Sequence, residues 1–385
     1  MLSRRSLLIS ASAFAFGQLL MGCGTSDAAV KIRLLEDSVP PQLLKAFQQQ
    51  MKGTAIDFSQ SEQLADLFKL LQVWKQQDGK AAGSSLPFVG SKAAPLMDLV
   101  TLGDYWLTPA IQQKLIQPLP LAEIPAWQQL PPQWRQFVQR DRQGNLNETG
   151  ELWAAPYRWG TLMMAYRVDA FRSLGWTPTD WQDLWRPELK HQISLPDSAR
   201  AVIGLTLKKM KQSVNEAGLP ADLESELRSL HQQTKFYSSN AYLQPLSLED
   251  TWLAVGWSTE ILPLLKRERE LAGVVPQSGT LLTADLWVSP ADAPARNADR
   301  LEVLKQWIGF YWTPQTAAQL ALLTSMASPL FSYGVSAINS VPSSLKFKDL
   351  LLPPADVQQR SELLKPLPAP TLEQYRRLWI SVRQG

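Results

Sequence analysis

The chain has 385 residues, of which 45% are apolar and 19% charged, enough for two domains of ~100–200 residues each around a sizeable core. The formal net charge is +3, so no global field points to nucleic acid or to an anionic membrane surface. Fifteen tryptophans are many. Indole offers a flat apolar face with one N–H donor, which suits cores as well as ligand boxes, and most of them are expected in the core.

The first residues carry the most specific local pattern. Met1–Arg5 is short and basic, and Leu7–Leu20 is a mostly apolar run of 14 residues, too short to cross ~30 Å of hydrocarbon as a stable helix. Residues 1–22 read as an export signal. The run ends in Leu20-Met21-Gly22-Cys23, and Cys23 is the only cysteine, so no disulfide forms within the chain. The segment resembles a bacterial lipobox, in which the cysteine is acylated after cleavage and tethers the protein through residues 23–30. An uncleaved anchor and a simple secretory signal are the alternatives. Ser3–Leu8, with Arg4 and Arg5, also resembles a twin-arginine export signal, although two arginines equally make an ordinary basic start. Cleavage takes Lys+Arg from 38 to 36 against 35 acidic residues, a mature balance of +1.

Lys31–Leu35 reads as a strand, followed by a loop through Pro41 and a helix over Gln42–Met51, where Leu43, Leu44, Phe47 and Met51 keep helical spacing. A strand near Ala55–Ser59 and a helix over Ser61–Trp74 follow. Gly79–Pro95 is a loop rich in Gly, Ala, Ser and Pro. Met97–Leu102 is a buried strand, Gly103-Asp104 a turn and Pro109–Ile116 a helix. Arg140–Gly150 is expected as an exposed hairpin turn and Leu152–Tyr166 as an apolar-aromatic strand region. Thr179 or Asp180 caps a helix through Trp185. His191–Leu195, Leu253–Trp257 and Leu281–Val288 are strands. Ala199–Lys211, Ala221–Gln232, Arg300–Tyr311, Pro314–Leu323 and Leu372–Val382 are helices, with Ser340–Pro354 as a linker. This alternation implies an α/β fold with largely parallel sheets flanked by helices, and ligands in such sheets sit beyond the carboxyl ends of the strands. Glu36, Asp37, Asp104 and Tyr105 then share one crevice.

The chemistry is more telling for what is missing. His191 and His231 are the only histidines, and both read as surface residues, which leaves little for a zinc site or a His-based triad. No phosphate-cradling glycine motif occurs, and no carboxylate pair stands out, so no catalytic, cofactor or metal role is expected. Aromatic residues do stand beside polar groups at likely strand ends: Asp104-Tyr105-Trp106, Tyr157-Arg158-Trp159, Gly256-Trp257-Ser258, and Asp285 near Trp287. Such faces hold an alkyl or ammonium group, each cation–π contact contributing ~0.5–2 kcal/mol. Taken one at a time, each aromatic is better explained by packing.

Ala154–Ala165 (AAPYRWGTLMMA), Thr179–Pro187 (TDWQDLWRP), Leu195–Gly204 (LPDSARAVIG), Tyr237–Asn240 (YSSN) and Ala254–Ser258 (AVGWS) resemble the spermidine/putrescine-type family of extracellular solute-binding proteins. Leu35–Leu44 (LEDSVPPQLL) and Asp98–Tyr105 (DLVTLGDY) resemble its first lobe. The resemblance implies a two-lobed periplasmic-binding-protein clamshell, type II-like. Lobe 1 spans residues 31–165 and 285–340, lobe 2 spans 166–284 and 341–385, and they hinge around Tyr166 and Asp285. It implies ligand contacts from Asp37, Tyr105, Ser238, Trp257 and Asp285, with Trp159, Asp197 and Ser198 nearby. Departures are visible too. Leu35 stands where the family has an aromatic, Ser198 and Ala201 where it has carboxylates, and Leu282 or Thr283 where it has a tryptophan. Asp197 is a partial substitute. Arg158 and Arg200 lie close to the motifs; they read either as partners for a ligand carboxylate or phosphate or, preferably, as salt bridges at the lobe surface or hinge.

The expected role is therefore a monomeric, lipid-anchored periplasmic component of an ABC importer. It takes a small polar, cationic, polyamine-like solute and hands it to a membrane permease. A transport-inactive sensory or interaction module on the same scaffold is the second reading, motivated by Leu35, Ser198 and Ala201.

Overall fold

The computed structural model describes residues 30–78, 95–294, 297–332 and 340–384. The export signal, Arg4, Arg5, Cys23 and nearly all of the expected Gly79–Pro95 loop lie outside them. Three parallel strands open the fold: β1 (Val30–Leu35), β2 (Ile56–Ser61) and β3 (Leu99–Gly103). Val30, Ile32 and Leu34 of β1 point into the core while the residues between them are half-buried, the period of two that a strand imposes. Helices Pro41–Gln50 and Leu64–Asp78 connect these strands, the first starting on a proline whose missing N–H costs nothing there.

Short strands follow: β4 (Ile116–Gln117), then β5 (Gln139–Arg140) and β6 (Glu151–Leu152), which pair as a hairpin. The expected exposed turn between them is present, but Arg140 itself is buried. Its guanidinium donates to the Phe137 carbonyl at 2.9 Å, the Thr108 hydroxyl at 2.9 Å and the Gly144 carbonyl at 3.1 Å, which compensates the buried charge.

The long strand β7 (Ala155–Arg167) joins the two halves. Every residue from Ala155 to Ala165 is buried, as in a strand covered on both faces. Leu162 and Met164 feed one core with Phe171, Trp181, Leu205 and Leu227, whereas Met163 and Ala165 feed the larger core that runs through the rest of the molecule. The remaining strands are β8 (Ile193–Pro196), β9 (Thr234–Ser238), β10 (Leu253–Trp257), β11 (Leu271–Val274), β12 (Leu281–Pro290) and β13 (Glu362–Leu363). The sheet order is β2-β1-β3-β12-β7-β10-β8-β9. It is parallel among the outer strands of each half and antiparallel around β7 and β12.

Residues 340–354 are more structured than a linker. They carry the short helix Lys348–Leu351, and Val341, Leu345, Leu351 and Leu352 are buried in the larger core. Helix Ala369–Gln384 closes the chain against helices Ala199–Lys209 and Leu223–Gln233.

Candidate functional site

The pairing register fixes where the two halves meet. Asp285 of β12 pairs with Gly103 at the end of β3 and with Arg158 of β7. Because β12 is antiparallel to both, β3 runs parallel to β7 and ends level with Arg158. Trp257 at the end of β10 pairs with Leu162, and β10 runs antiparallel to β7. The carboxyl ends of the two strand sets therefore approach from opposite directions. They stop four residues apart along β7, ~13 Å at ~3.3 Å per residue. Beyond such ends is where open α/β sheets hold ligands.

On the first lip, Asp37 lies in the turn just beyond the end of β1 and Asp104 just beyond the end of β3, the two strands being parallel neighbours. Asp37 is exposed, sits in the left-handed region with φ 55°, and its carboxylate has no hydrogen bond or ion pair among the described residues. Asp104 Oδ1 accepts from Thr283 Oγ1 at 2.9 Å and from the Tyr105 N–H at 3.0 Å. Burial, reinforced by neighbouring Asp285, pushes its carboxyl up to about 7 against the pull of those hydrogen bonds. Tyr105 is 68% exposed. Its ring stands edge-on to Trp106 at 5.2 Å, and Trp106 stacks on Phe68 at 4.3 Å, so an open aromatic face is held on a rigid base.

Asp285 lies deeper, 9% exposed. Arg158 Nε and Nη2 both donate to its Oδ2 at 2.5 Å, so Arg158 makes a salt bridge, the preferred of its two expected roles. The guanidinium lies 5.8 Å from the centre of the Tyr157 ring, which stacks on Trp287 at 4.1 Å. Burial holds the Tyr157 phenol at about 12.

On the second lip, the Asp197 N–H donates to the Ser238 carbonyl at 2.9 Å, and the Asp197 carboxylate accepts from Arg383 Nη1 at 3.0 Å. Arg383 arrives from the C-terminal helix and lies 3.8 Å over the Tyr237 ring. Ser198 caps helix Ala199–Lys209, its hydroxyl accepting from the Ala201 N–H. Ser238 Oγ accepts from the N–H groups of Asn240 and Ala241. Trp257 is half-buried at the end of β10, where helix Ser258–Arg267 begins.

Asp37, Tyr105 and Asp285 thus share the first lip, and Asp197, Ser198, Ser238 and Trp257 the second. Trp159 belongs to neither. It is 2% exposed, its indole N–H donates to the Ser328 carbonyl at 2.9 Å, and it walls a separate cavity of about 120 Å³ with Trp134, Thr161 and Gln358. Alternation along a strand sends Trp159 and Arg158 to opposite faces, a signal available in the sequence. Arg200 also points elsewhere, donating to the Val214 carbonyl at 2.7 Å. Thr283 and Arg383 had no local signal, because their partners are 179 and 186 residues away. Among the described residues no cluster of three or more potential metal ligands occurs. Among them also, no helix is long and apolar enough to cross a membrane.

A family model described as bacterial extracellular solute-binding protein matches residues 94–350, more than half of the chain. The putrescine-binding periplasmic protein PotF of Escherichia coli is 25% identical over 309 residues, covering 75% of this chain and 78% of that protein. A spermidine/putrescine-binding periplasmic protein of Salmonella typhimurium is 24% identical over 325 residues, covering 84% and 83%. Among solved structures, the spermidine/putrescine ABC transporter substrate-binding protein PotD of Streptococcus pneumoniae superposes with a TM-score of 0.73 at 21% identity, covering 92% of this chain and 98% of that one. The periplasmic binding protein AfuA of Actinobacillus pleuropneumoniae gives 0.57 at 15% identity, covering 94% and 100%. At such identities the structures speak for the fold alone, the two-lobed α/β clamshell of periplasmic binding proteins. With its convergent strand ends and a family match over residues 94–350, the chain belongs to the bacterial extracellular solute-binding proteins, a family that binds rather than transforms its solute.

Proposed function

We propose that the chain captures a small polar, cationic, polyamine-like solute between its lobes and delivers it to an ABC permease. It works in the periplasm as a monomer tethered through an acylated Cys23. The observation that carries this reading is the pairing of a carboxylate without a partner among the described residues and an open aromatic face, Asp37 and Tyr105, on one lip with Trp257 on the other. A cation gains from such aromatic faces and from a carboxylate only when both lips contact it, so its affinity difference between open and closed forms drives closure. The bending is proposed along residues 158–162 of β7 and 281–285 of β12, which moves the first hinge from the expected Tyr166 to the place where β7 changes partner. The printed names of the relatives, which bind putrescine or spermidine, support the solute class.

Native mass spectrometry of the protein purified from its own envelope tests this. The expected species is a monomer beginning at Cys23, heavier by its acyl chains and carrying a small cation. A chain that keeps residues 1–22 and lacks acyl mass removes the anchor. A retained anion, or a solute-free chain that takes up no cation from a polyamine mixture, removes the cationic reading.

A further inference from the structure

Behind the solute gap lies the cavity of about 120 Å³ beside Trp159. Its floor is the stretch where β7 changes partner. Thr161 pairs with Leu282 of β12, so Trp159, Thr161 and Leu282 share one face of the two strands. Arg158 with Asp285, and Leu162 with Trp257, share the other. Cavity and gap therefore lie on opposite faces of the strands along which the bending is proposed. One wall comes from the first half: Trp134, whose indole N–H donates to Ser332 Oγ at 2.8 Å. The facing wall, Gln358 and Ser361, is held on the second half. There Lys208 Nζ donates to the Arg360 carbonyl at 2.7 Å, the Arg360 guanidinium to the Gln277 carbonyl, and the Thr280 N–H to Ser361 Oγ at 3.0 Å.

Thr161 lines this cavity, and its Oγ1 is buried without a hydrogen-bond partner among the described residues. That is unfavourable unless an occupant of the cavity bonds to it. Among the described residues no charged side chain lines the cavity. Indole and leucine faces stand there beside hydroxyls and carboxamides, the lining of a site for an uncharged molecule with both carbon and hydrogen-bonding groups. An apolar cavity of ~150 Å³ takes the six carbons of benzene, so this one takes a molecule of about five or six heavy atoms. A hydroxyl both donates and accepts, as Thr161 Oγ1 does.

Resting on the hinge proposed above, we infer that this cavity is a second binding site, for a small uncharged polyol of glycerol's size, and that its occupant opposes capture of the solute. Tyr105 and Asp37 are exposed, so the lips stand apart in this form. Bending that brings the lips together on one face parts the cavity walls on the other. A polyol bonded to Thr161 and to both walls loses contacts in that movement, so it binds the open form better than the closed one. The coupling is reciprocal: each ligand weakens the other by the same factor.

Saturation-transfer NMR with glycerol, and calorimetric titration of putrescine with and without glycerol, test the inference. Sorbitol, too large for the cavity, controls for a polyol acting as cosolvent. Glycerol is expected to give a saturable signal and to lower putrescine affinity at least threefold, beyond any effect of sorbitol. Thr161→Val keeps the side chain's shape and the backbone N–H bond to Ser258 Oγ. It removes the orphaned hydroxyl and is expected to weaken glycerol binding at least tenfold. Gln359→Trp, at an exposed residue of the cavity mouth, gives the same loss if the first variant does not fold. A glycerol signal that is absent, or unchanged in the folded variants, means a cavity holding water only and overturns the inference. Glycerol that binds without moving putrescine affinity more than sorbitol does overturns the coupling. A protein that binds glycerol, loses it in Thr161→Val and takes up no cation supports the second site and overturns the cationic reading alone.

Discussion

Asp104 carries the clearest pH signature of the gap. Its carboxyl ionises at about 7 in the folded chain, chiefly through burial and then through the neighbouring Asp285, against ~3.9 for a free aspartate. Between those values the folded state binds more protons than the unfolded one, so stability falls as pH rises. The penalty is absent below about pH 4 and complete above about pH 7. Asp104→Asn keeps an oxygen for Thr283 and Tyr105 and removes the ionisable group. It is expected to raise the melting temperature at pH 8 and to leave it nearly unchanged at pH 4, by differential scanning calorimetry; equal shifts at both values contradict this account. Asp104 and Tyr105 were legible in sequence because they end a buried strand. The pairing of Asp285 was not, since Arg158 is 127 residues away and only the β7–β12 ladder joins them. Trp159 departs from the expectation that set it near the ligand contacts: alternation along β7 turns it to the face opposite Arg158, where it is buried.

At the level of elements, the critical place is where β7 changes partner. Thr161 pairs with Leu282 of β12, and the next residue, Leu162, pairs with Trp257 of β10. There the Thr161 N–H donates to Ser258 Oγ at 3.0 Å, with both residues buried. Gly160 makes room for this contact: a Cβ there would lie 2.7 Å from Ser258 Oγ and 2.9 Å from Thr259 Cγ2. Ser258→Ala leaves a buried N–H unsatisfied and is expected to cost ~1–3 kcal/mol, read as a lower urea midpoint; an unchanged midpoint shows that water takes the hydroxyl's place. The long elements were legible from apolar periodicity. Helix Ser258–Arg267 was not, because Pro263 interrupts its sequence as a breaker would. Strand β11 is four residues long and contains Gly273, too short and too plain to show alternation.

For the whole molecule, alternating strands and helices were enough to place a binding gap at the strand ends, because connectivity dictates where those ends point. The strand order and the crossing of β7 and β12 between the lobes then convert that rule into a site with two opposed lips. What sequence alone did not yield is the charge balance of the lips, since the ion pairs there, Arg158–Asp285 and Arg383–Asp197, join segments 127 and 186 residues apart. The central claim is that one solute touches both lips at once. The crystal structure of protein purified from its own envelope, with its retained solute, tests this most directly. The expected result is solute density in contact with Asp37 or Tyr105 on one side and Trp257 on the other. Density held by one lip alone, or seated in the cavity beside Trp134 and Trp159, contradicts it.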